Sequence, residues 1–241
     1  MATYEGENTV LLLQTARYLV KNLNKIMKGK PVSPFVDYLK YVDEDLNSKS
    51  TLSDIKELSN PEELRKALRF NALYRITQAG QSLMGGMAEG FSPKDSWDKK
   101  AGIALCDAAI AHTVYFTYLT FLEKINIIHD EKIKAVLFKL STLYALNKIV
   151  EKPSGYFEGG YMTPAQLTIV RRGREVFIES LRRDTIGLVE AWQWSDNSLK
   201  SAIGRADGKA YETLFDWMKN KNRLNKEGVH KELMKELRSG L

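Results

Sequence analysis

Three times in this chain a helix-capping residue is followed directly by proline and, two positions later, by an acid or an amide. The segments are Asn60-Pro61-Glu62-Glu63, Ser92-Pro93-Lys94-Asp95 and Thr163-Pro164-Ala165-Gln166. A side-chain oxygen just ahead of a helix accepts from the orphan N–H groups of the first turn. Proline has no N–H to orphan there, and an acid or amide at the third helical position reaches back to the cap. Each start precedes a stripe at spacings of three and four. The first is Leu64, Leu68, Ala72, Ile76, Ala79 and Leu83; the second runs from Ile103 through Ile110, Val114, Tyr118 and Phe121 to Ile125. The third, the longest, runs from Leu167 through Val170, Phe177, Leu181 and Leu188 to Trp192. Asp130 opens a further helix that Pro153 stops. No segment alternates apolar and polar residues as a strand would, so the chain reads as all-α, a helical bundle.

Ahead of these helices, Val10, Leu13, Ala16, Leu19, Val20, Leu23 and Ile26 sustain a helical pattern until Gly29 and Pro31 end it. This helix is apolar on more than one face, which predicts burial among other helices, including ones this chain does not contain. Residues 30–60, with Pro31, Pro34 and a polar run Asn47-Ser48-Lys49-Ser50, read as a mostly irregular connector. Its acidic cluster Asp43-Glu44-Asp45 reads as a solvated loop, since a calcium site would need alternating oxygen ligands about a central glycine. The expected division is therefore 1–29, 30–60 and a helical domain over 61–241. Within the last, a short helix, a turn at Asp207-Gly208 and another helix are expected over 198–220, then a helix from about Lys226 to Leu237.

Several function classes are excluded or weakened. The glycine-rich stretch Gly80 to Gly90 has no strand before it and no Lys-Ser/Thr pair after it, so it is no phosphate-cradling loop. His112 has no second ligand at metal spacing, His129 and His230 are distant, and no metal site is expected. The net charge of +6 is partly terminal: residues 217–241 hold seven Lys or Arg against three Asp or Glu. Aromatics are not interleaved there and the signs alternate at helical spacing, so a solvated face, not a nucleic-acid surface, is expected. Arg171, Arg172, Arg174, Arg182 and Arg183 read as a charged outer face pairing with Glu175, Glu179 and Asp184, rather than as a phosphate clamp. A single cysteine, Cys106, permits no intrachain disulfide and suits a reducing compartment. No uninterrupted apolar run reaches the roughly 18 residues of a membrane span, and no secretory signal is read at the start.

The chemistry concentrates at Thr3-Tyr4-Glu5-Gly6-Glu7-Asn8-Thr9-Val10. Glu5 stands just ahead of the first helix, where unpartnered N–H groups hold anions or polarised oxygens, and Gly6 permits close approach of a flat ligand. On spacing alone a solvated carboxylate favoured by the helix dipole is the preferred reading of Glu5. The segment with its continuation Leu13-Gln14-Thr15-Ala16-Arg17 resembles the acyl-CoA dehydrogenase and oxidase superfamily, and specifically the peroxisomal acyl-CoA oxidases. Gly204-Arg205-Ala206-Asp207-Gly208, Tyr211-Glu212, Leu214-Phe215-Asp216-Trp217, Leu224-Asn225-Lys226 and Val229-His230 resemble the end of those oxidases, and Met162-Thr163-Pro164-Ala165-Gln166 matches more loosely.

The resemblance implies FAD as cofactor and fatty acyl-CoA and oxygen as substrates, giving trans-2-enoyl-CoA and hydrogen peroxide. It makes Glu5 the base that removes the pro-R proton beside the thioester, lines the acyl pocket with Tyr4, and runs Gly6, Glu7 and Asn8 near the FAD. It implies a homodimer and makes residues 1–29 the end of the flavin-binding helical domain. It also implies an earlier helical domain and a β domain ahead of this motif, so the chain alone is expected to show neither flavin absorbance nor peroxide production. The alternatives are a non-catalytic helical association module and a dehydrogenase that passes electrons to a protein. Ser239-Gly240-Leu241 stands in the place of the peroxisomal Ser-Lys-Leu signal but lacks its basic middle residue.

Overall fold

A computed structural model of the protein describes residues 7–222 and 229–239. The chain divides into two compact units, Met1–Arg183 and Asp184–Leu241. The first unit contains α1 (Thr9–Met27), α2 (Val42–Leu46), α3 (Pro61–Ala88), α4 (Pro93–Asn126), α5 (Glu131–Glu151), α6 (Ser154–Glu158) and α7 (Pro164–Leu181). The second contains α8 (Thr185–Glu190), α9 (Asp196–Leu199), α10 (Ala210–Asp216) and α11 (Val229–Ser239). Among the described residues there is no strand, as the periodicities predict.

Four of the five long helices of the first unit, α3, α4, α5 and α7, begin where local chemistry says they should. Asn60 Oδ1 accepts from the Glu62 N–H at 3.0 Å, and Ser92 Oγ from the Asp95 N–H at 3.0 Å. Asp130 Oδ1 accepts from the N–H groups of Lys132 and Ile133 at 2.8 and 3.0 Å. Thr163 and Gln166 close a reciprocal capping box, Gln166 N–H to Thr163 Oγ1 at 3.3 Å and Thr163 N–H to Gln166 Oε1 at 2.9 Å.

The packing departs from the expected stripes in instructive ways. α3 buries Ala67, Leu68, Arg69 and Phe70 in succession, so it is enclosed on several sides and not along one stripe. On α4 the buried set is Leu105, Ala108, Ala109, Ala111, Tyr115, Tyr118, Leu122 and Ile125, while Ile103 is 84% exposed. The stripe read from bulky residues is met at Tyr118 and Ile125 but not at Ile103, because small alanines let α4 approach α1, α3 and α5 closely and shift its inward face. A π-helical turn at Ser96–Ala101 lies where α4 meets α3, and a Cβ on Gly86 would come within 2.9 Å of Ser96 Oγ. By length and composition α4 is apolar enough to cross a membrane, which a count of uninterrupted apolar residues overlooked. Here it is a central helix of the bundle.

Residues 30–60 are not a loose connector. They form 3₁₀ turns at Pro34–Tyr41 and Ile55–Ser59 flanking α2, and Val36, Leu39 and Leu58 are core residues. Asp45, expected in a solvated cluster, is buried and forms a two-bond ion pair with Arg69 of α3, Nε to Oδ2 at 2.6 Å and a terminal nitrogen to Oδ1 at 2.8 Å. Tyr41 covers the guanidinium at 4.4 Å. Asp43 and Glu44 are exposed, as expected. The segment is also stitched to the loop before α7, where the Ser50 N–H donates to the Tyr161 carbonyl at 2.7 Å and Gln166 Nε2 donates to the carbonyls of Ser50 and Leu52.

The longest expected helix stops early. α7 ends at Leu181, a 3₁₀ turn follows at Arg182–Asp184, and α8 takes up again at Thr185. Beyond Leu181 the apolar periodicity continues but Ile186, Val189 and Trp192 are 65–74% exposed. Helical propensity alone, interrupted by Thr185 and Gly187, does not hold one rod through them.

Candidate functional site

The chemistry-bearing segment of the sequence ends at the start of α1. Tyr4, Glu5 and Gly6 lie outside the described residues; Glu7 and Asn8 lie within them. Asn8 is the N-cap residue of α1, but its side chain makes no capping bond. Glu7 takes that part: its Oε1 accepts from the N–H groups of Asn8 and Thr9 and from the Thr9 hydroxyl, each at 2.6 Å. The hydroxyl bond first, then the two N–H bonds, hold the Glu7 carboxyl below its ordinary value. Glu7 is thus turned back onto its own helix, and the exposed Asn8 amide is left for an outside partner.

α1 runs beside α4, and the charge of Glu7 reaches Cys106 there. Burial, then Asp107, then Glu7 push the Cys106 thiol above its ordinary value, the opposite of an activated nucleophile. One and a half turns further, His112 Nδ1 meets the Tyr38 hydroxyl at 2.8 Å, packed against Tyr38 and Phe116. Burial lowers its pKa to about 4, so this is the hydrogen-bonded core histidine that the lone His predicted. Among the described residues no group of three His, Cys, Asp or Glu could hold a metal ion.

The other motifs have local roles. Asp207, in the segment resembling the oxidase terminus, pairs with Arg205 at 2.5 and 3.0 Å and accepts from the Lys209 N–H at 3.0 Å. The Arg205 bond, then the Lys209 bond, hold its carboxyl well below the usual range, and Gly208 closes the turn at φ +70°. Of the arginines beyond Val170, Arg182 approaches Glu179 at 3.8 Å across an exposed surface, while Nε of Arg174 is buried without a partner. A basic face on α1, formed by Arg17, Lys21, Lys25 and Lys28, has its signal in the sequence as cations at spacings of four, four and three.

The acyl-CoA oxidase family model matches residues 60–241, three quarters of the chain. The chain belongs to the acyl-CoA oxidase family. Among its relatives, the peroxisomal acyl-coenzyme A oxidases 1 of Cavia porcellus and Homo sapiens are each 35% identical to it over 98% of its length. Among solved structures, an acyl-CoA oxidase 1 of Arabidopsis thaliana superposes with a TM-score of 0.86 at 25% identity over 100% of the chain. The acyl-CoA oxidase-1 of Caenorhabditis elegans, solved with FAD and ATP, gives 0.80 at 30% identity over 99%. In each case this chain spans 36% of the other protein's length. The all-α architecture expected from the sequence is that of the part of these oxidases that the chain matches.

The described part of this oxidase-family chain fits an edge of a flavin site and not an enclosure. An exposed N-cap amide at a helix start can meet one rim of a flat cofactor. Three of its concavities, at Asn71–Tyr156, at Arg17–Trp97 and at Asp196–Lys221, include neither Glu7 nor Asn8.

Proposed function

We propose that this chain is the C-terminal part of an FAD-dependent peroxisomal acyl-CoA oxidase, to which it contributes the catalytic base, Glu5. The observation that carries this reading is the likeness to the oxidases over 98% of the chain, together with the Tyr4-Glu5-Gly6 motif that the sequence sets just ahead of the α1 start. In the complete enzyme FAD, when bound, supplies the acceptor for the hydride that leaves the β-carbon of a fatty acyl-CoA, and oxygen is reduced to hydrogen peroxide. The Glu5 carboxylate takes the proton from the α-carbon, and a dry site raises its pKa toward that of the acidified thioester. Tyr4 lines the acyl chain. Gly6 and the Asn8 amide meet the cofactor, with Glu7 holding the helix start rigid through its three bonds. The full-length protein forms a homodimer in the peroxisome; Ser239-Gly240-Leu241 stands in the place of the import signal without its basic middle residue, and Ser239 ends α11.

The test is Glu5→Gln in the full-length oxidase, followed by peroxide release with a fatty acyl-CoA and by the flavin spectrum. Loss of general-base catalysis lowers turnover about 10²–10⁴-fold with the flavin retained, and normal turnover would sink the assignment. A second reading, a non-catalytic association module, draws support from the exposed apolar residues of α1, Val10, Leu11 and Tyr18. Light scattering on the isolated chain separates the two, since a module of that kind dimerises without flavin.

A further inference from the structure

Within the first unit α3, α4, α6 and the end of α5 bound a recess of about 450 Å³. Ile110, Ala111 and Val114 give it an apolar wall, since positions three and four apart share one face of α4. Three cations, Arg75, Lys148 and Lys152, line it against two acids, Asp107 and Glu151, an excess of one positive charge. Tyr156 enters it from α6.

Structural explanations cover part of this polarity. Lys152 pairs with Asp107 at 3.2 Å and Lys148 with Glu151 at 2.7 Å, while Arg75 ties α6 to α3 through Glu158 at 3.0 Å and through Ser154 Oγ. These bonds do not explain the placing of the charges. The Arg75 side chain is 19% exposed against 38% for Asp107 and 47% for Glu151, so the guanidinium is more enclosed than either acid. Nor do they explain Tyr156, which is 1% exposed, while among the described residues nothing bonds its hydroxyl. Burial, then Tyr161, push the pKa of that hydroxyl far up, so it keeps its proton and can donate. Asn71 adds no competing acceptor, because its Oδ1 is buried against Gly155, where a Cβ would meet it at 2.2 Å.

We propose that this recess binds a small aliphatic carboxylate, its charged end at Arg75 and the Tyr156 hydroxyl and its chain along Ile110 and Val114. A guanidinium has more N–H donors than the bonds to Glu158 and Ser154 use, and a charge-assisted bond to a carboxylate is among the stronger ones available. One carboxylate matches the single excess positive charge, whereas a polyanion would set several negative charges against Asp107 and Glu151. Glu158 is 49% exposed, and a solvated pair of this kind holds Arg75 weakly enough for a ligand to share it. Each methylene fully buried on the α4 wall adds about fourfold in affinity. The proposal rests on residues of the first unit alone and is independent of the role proposed for Glu5.

The experiment is calorimetric titration of the chain with octanoate, butanoate, octanol and octylamine. The parent is compared with Arg75→Gln, Tyr156→Phe and Glu158→Gln, and with a control, Lys132→Gln, on exposed α5 surface. Saturable octanoate binding is expected, with butanoate weaker by about tenfold or more because less chain is buried. Octanol and octylamine, which lack the negative charge, should also bind about tenfold or more weakly. Arg75→Gln should weaken octanoate by about tenfold or more, and Tyr156→Phe, which keeps the ring in place, by about threefold to tenfold. Glu158→Gln should tighten it by about twofold to fivefold, a gain that a purely structural role for Arg75 would not give. Lys132→Gln should bind as the parent does. Far-UV circular dichroism checks that each variant keeps the helical fold; should Arg75→Gln fail to fold, Tyr156→Phe and Glu158→Gln decide. No saturable octanoate binding at millimolar concentration, octanol or octylamine binding as tightly as octanoate, or binding unchanged in both Tyr156→Phe and Glu158→Gln would each overturn the proposal.

Discussion

Asp45→Asn is the perturbation that bears most directly on how the first unit is held together. The carboxylate makes two bonds to Arg69, at 2.6 and 2.8 Å, and both side chains are nearly solvent-free, at 7% and 9% exposure. Arg69 lies buried in the third turn of α3 with Tyr41 over its guanidinium, so it has no short route to water when its partner is neutralised. Breaking a buried pair by removing one charge costs about 3–5 kcal/mol, chiefly through the uncompensated ion left behind. At about 2–4 °C per kcal/mol for a chain of this size, the midpoint should fall by roughly 6–20 °C. Thermal unfolding followed by far-UV circular dichroism reads this directly. The exposed neighbour Asp43→Asn should move it little, and Asp45→Leu combined with Arg69→Met should recover much of the loss. If Asp45→Asn unfolded within a degree or two of the parent, the pair would not be anchoring residues 30–60 to α3, and that segment would be the loose connector its composition suggests.

His112 predicts acid sensitivity of a definite sign. Its folded pKa, about 4, lies below the ordinary 6.5, so the unfolded chain binds the extra proton; stability is full above pH 6.5 and falls as pH drops toward 4, by on the order of 3 kcal/mol. Urea midpoints for the parent and His112→Phe should converge as pH falls through that window, and parallel pH profiles would refute the burial argument. Two glycines predict opposite outcomes for one change. Gly173→Ala drives a methyl to 2.2 Å from Cδ1 of the buried Leu58 and should cost about 1–3 kcal/mol. Gly85→Ala meets nothing within 4 Å inside α3 and should stabilise by about 0.5–1 kcal/mol through helix propensity; equal effects at the two positions in urea unfolding would contradict the packing described.

What the sequence by itself determined is what short-range chemistry determines. Asn60, Ser92, Asp130 and Thr163 bond to N–H groups two or three residues away, so four helix starts and the all-α class could be read without knowing any partner. The oxidase likeness was legible for a similar reason, since its motifs are contiguous runs. The tertiary structure alone decided which residues meet across distance. Arg69 stands 24 residues from Asp45, so composition could not separate that acid from exposed Asp43 and Glu44. The inward face of α4 depends on how closely alanines let neighbouring helices approach, so Ala108, Ala109 and Ala111 are buried while Ile103 is exposed, which side-chain bulk, the quantity a periodic reading weighs, does not foresee. The gathering of Arg17, Lys21 and Lys28 beside Trp97 likewise follows from α1 lying against α4. Local hydrogen bonds are fixed by the covalent chain, whereas burial and charge isolation belong to the space between helices and exist only once they are packed.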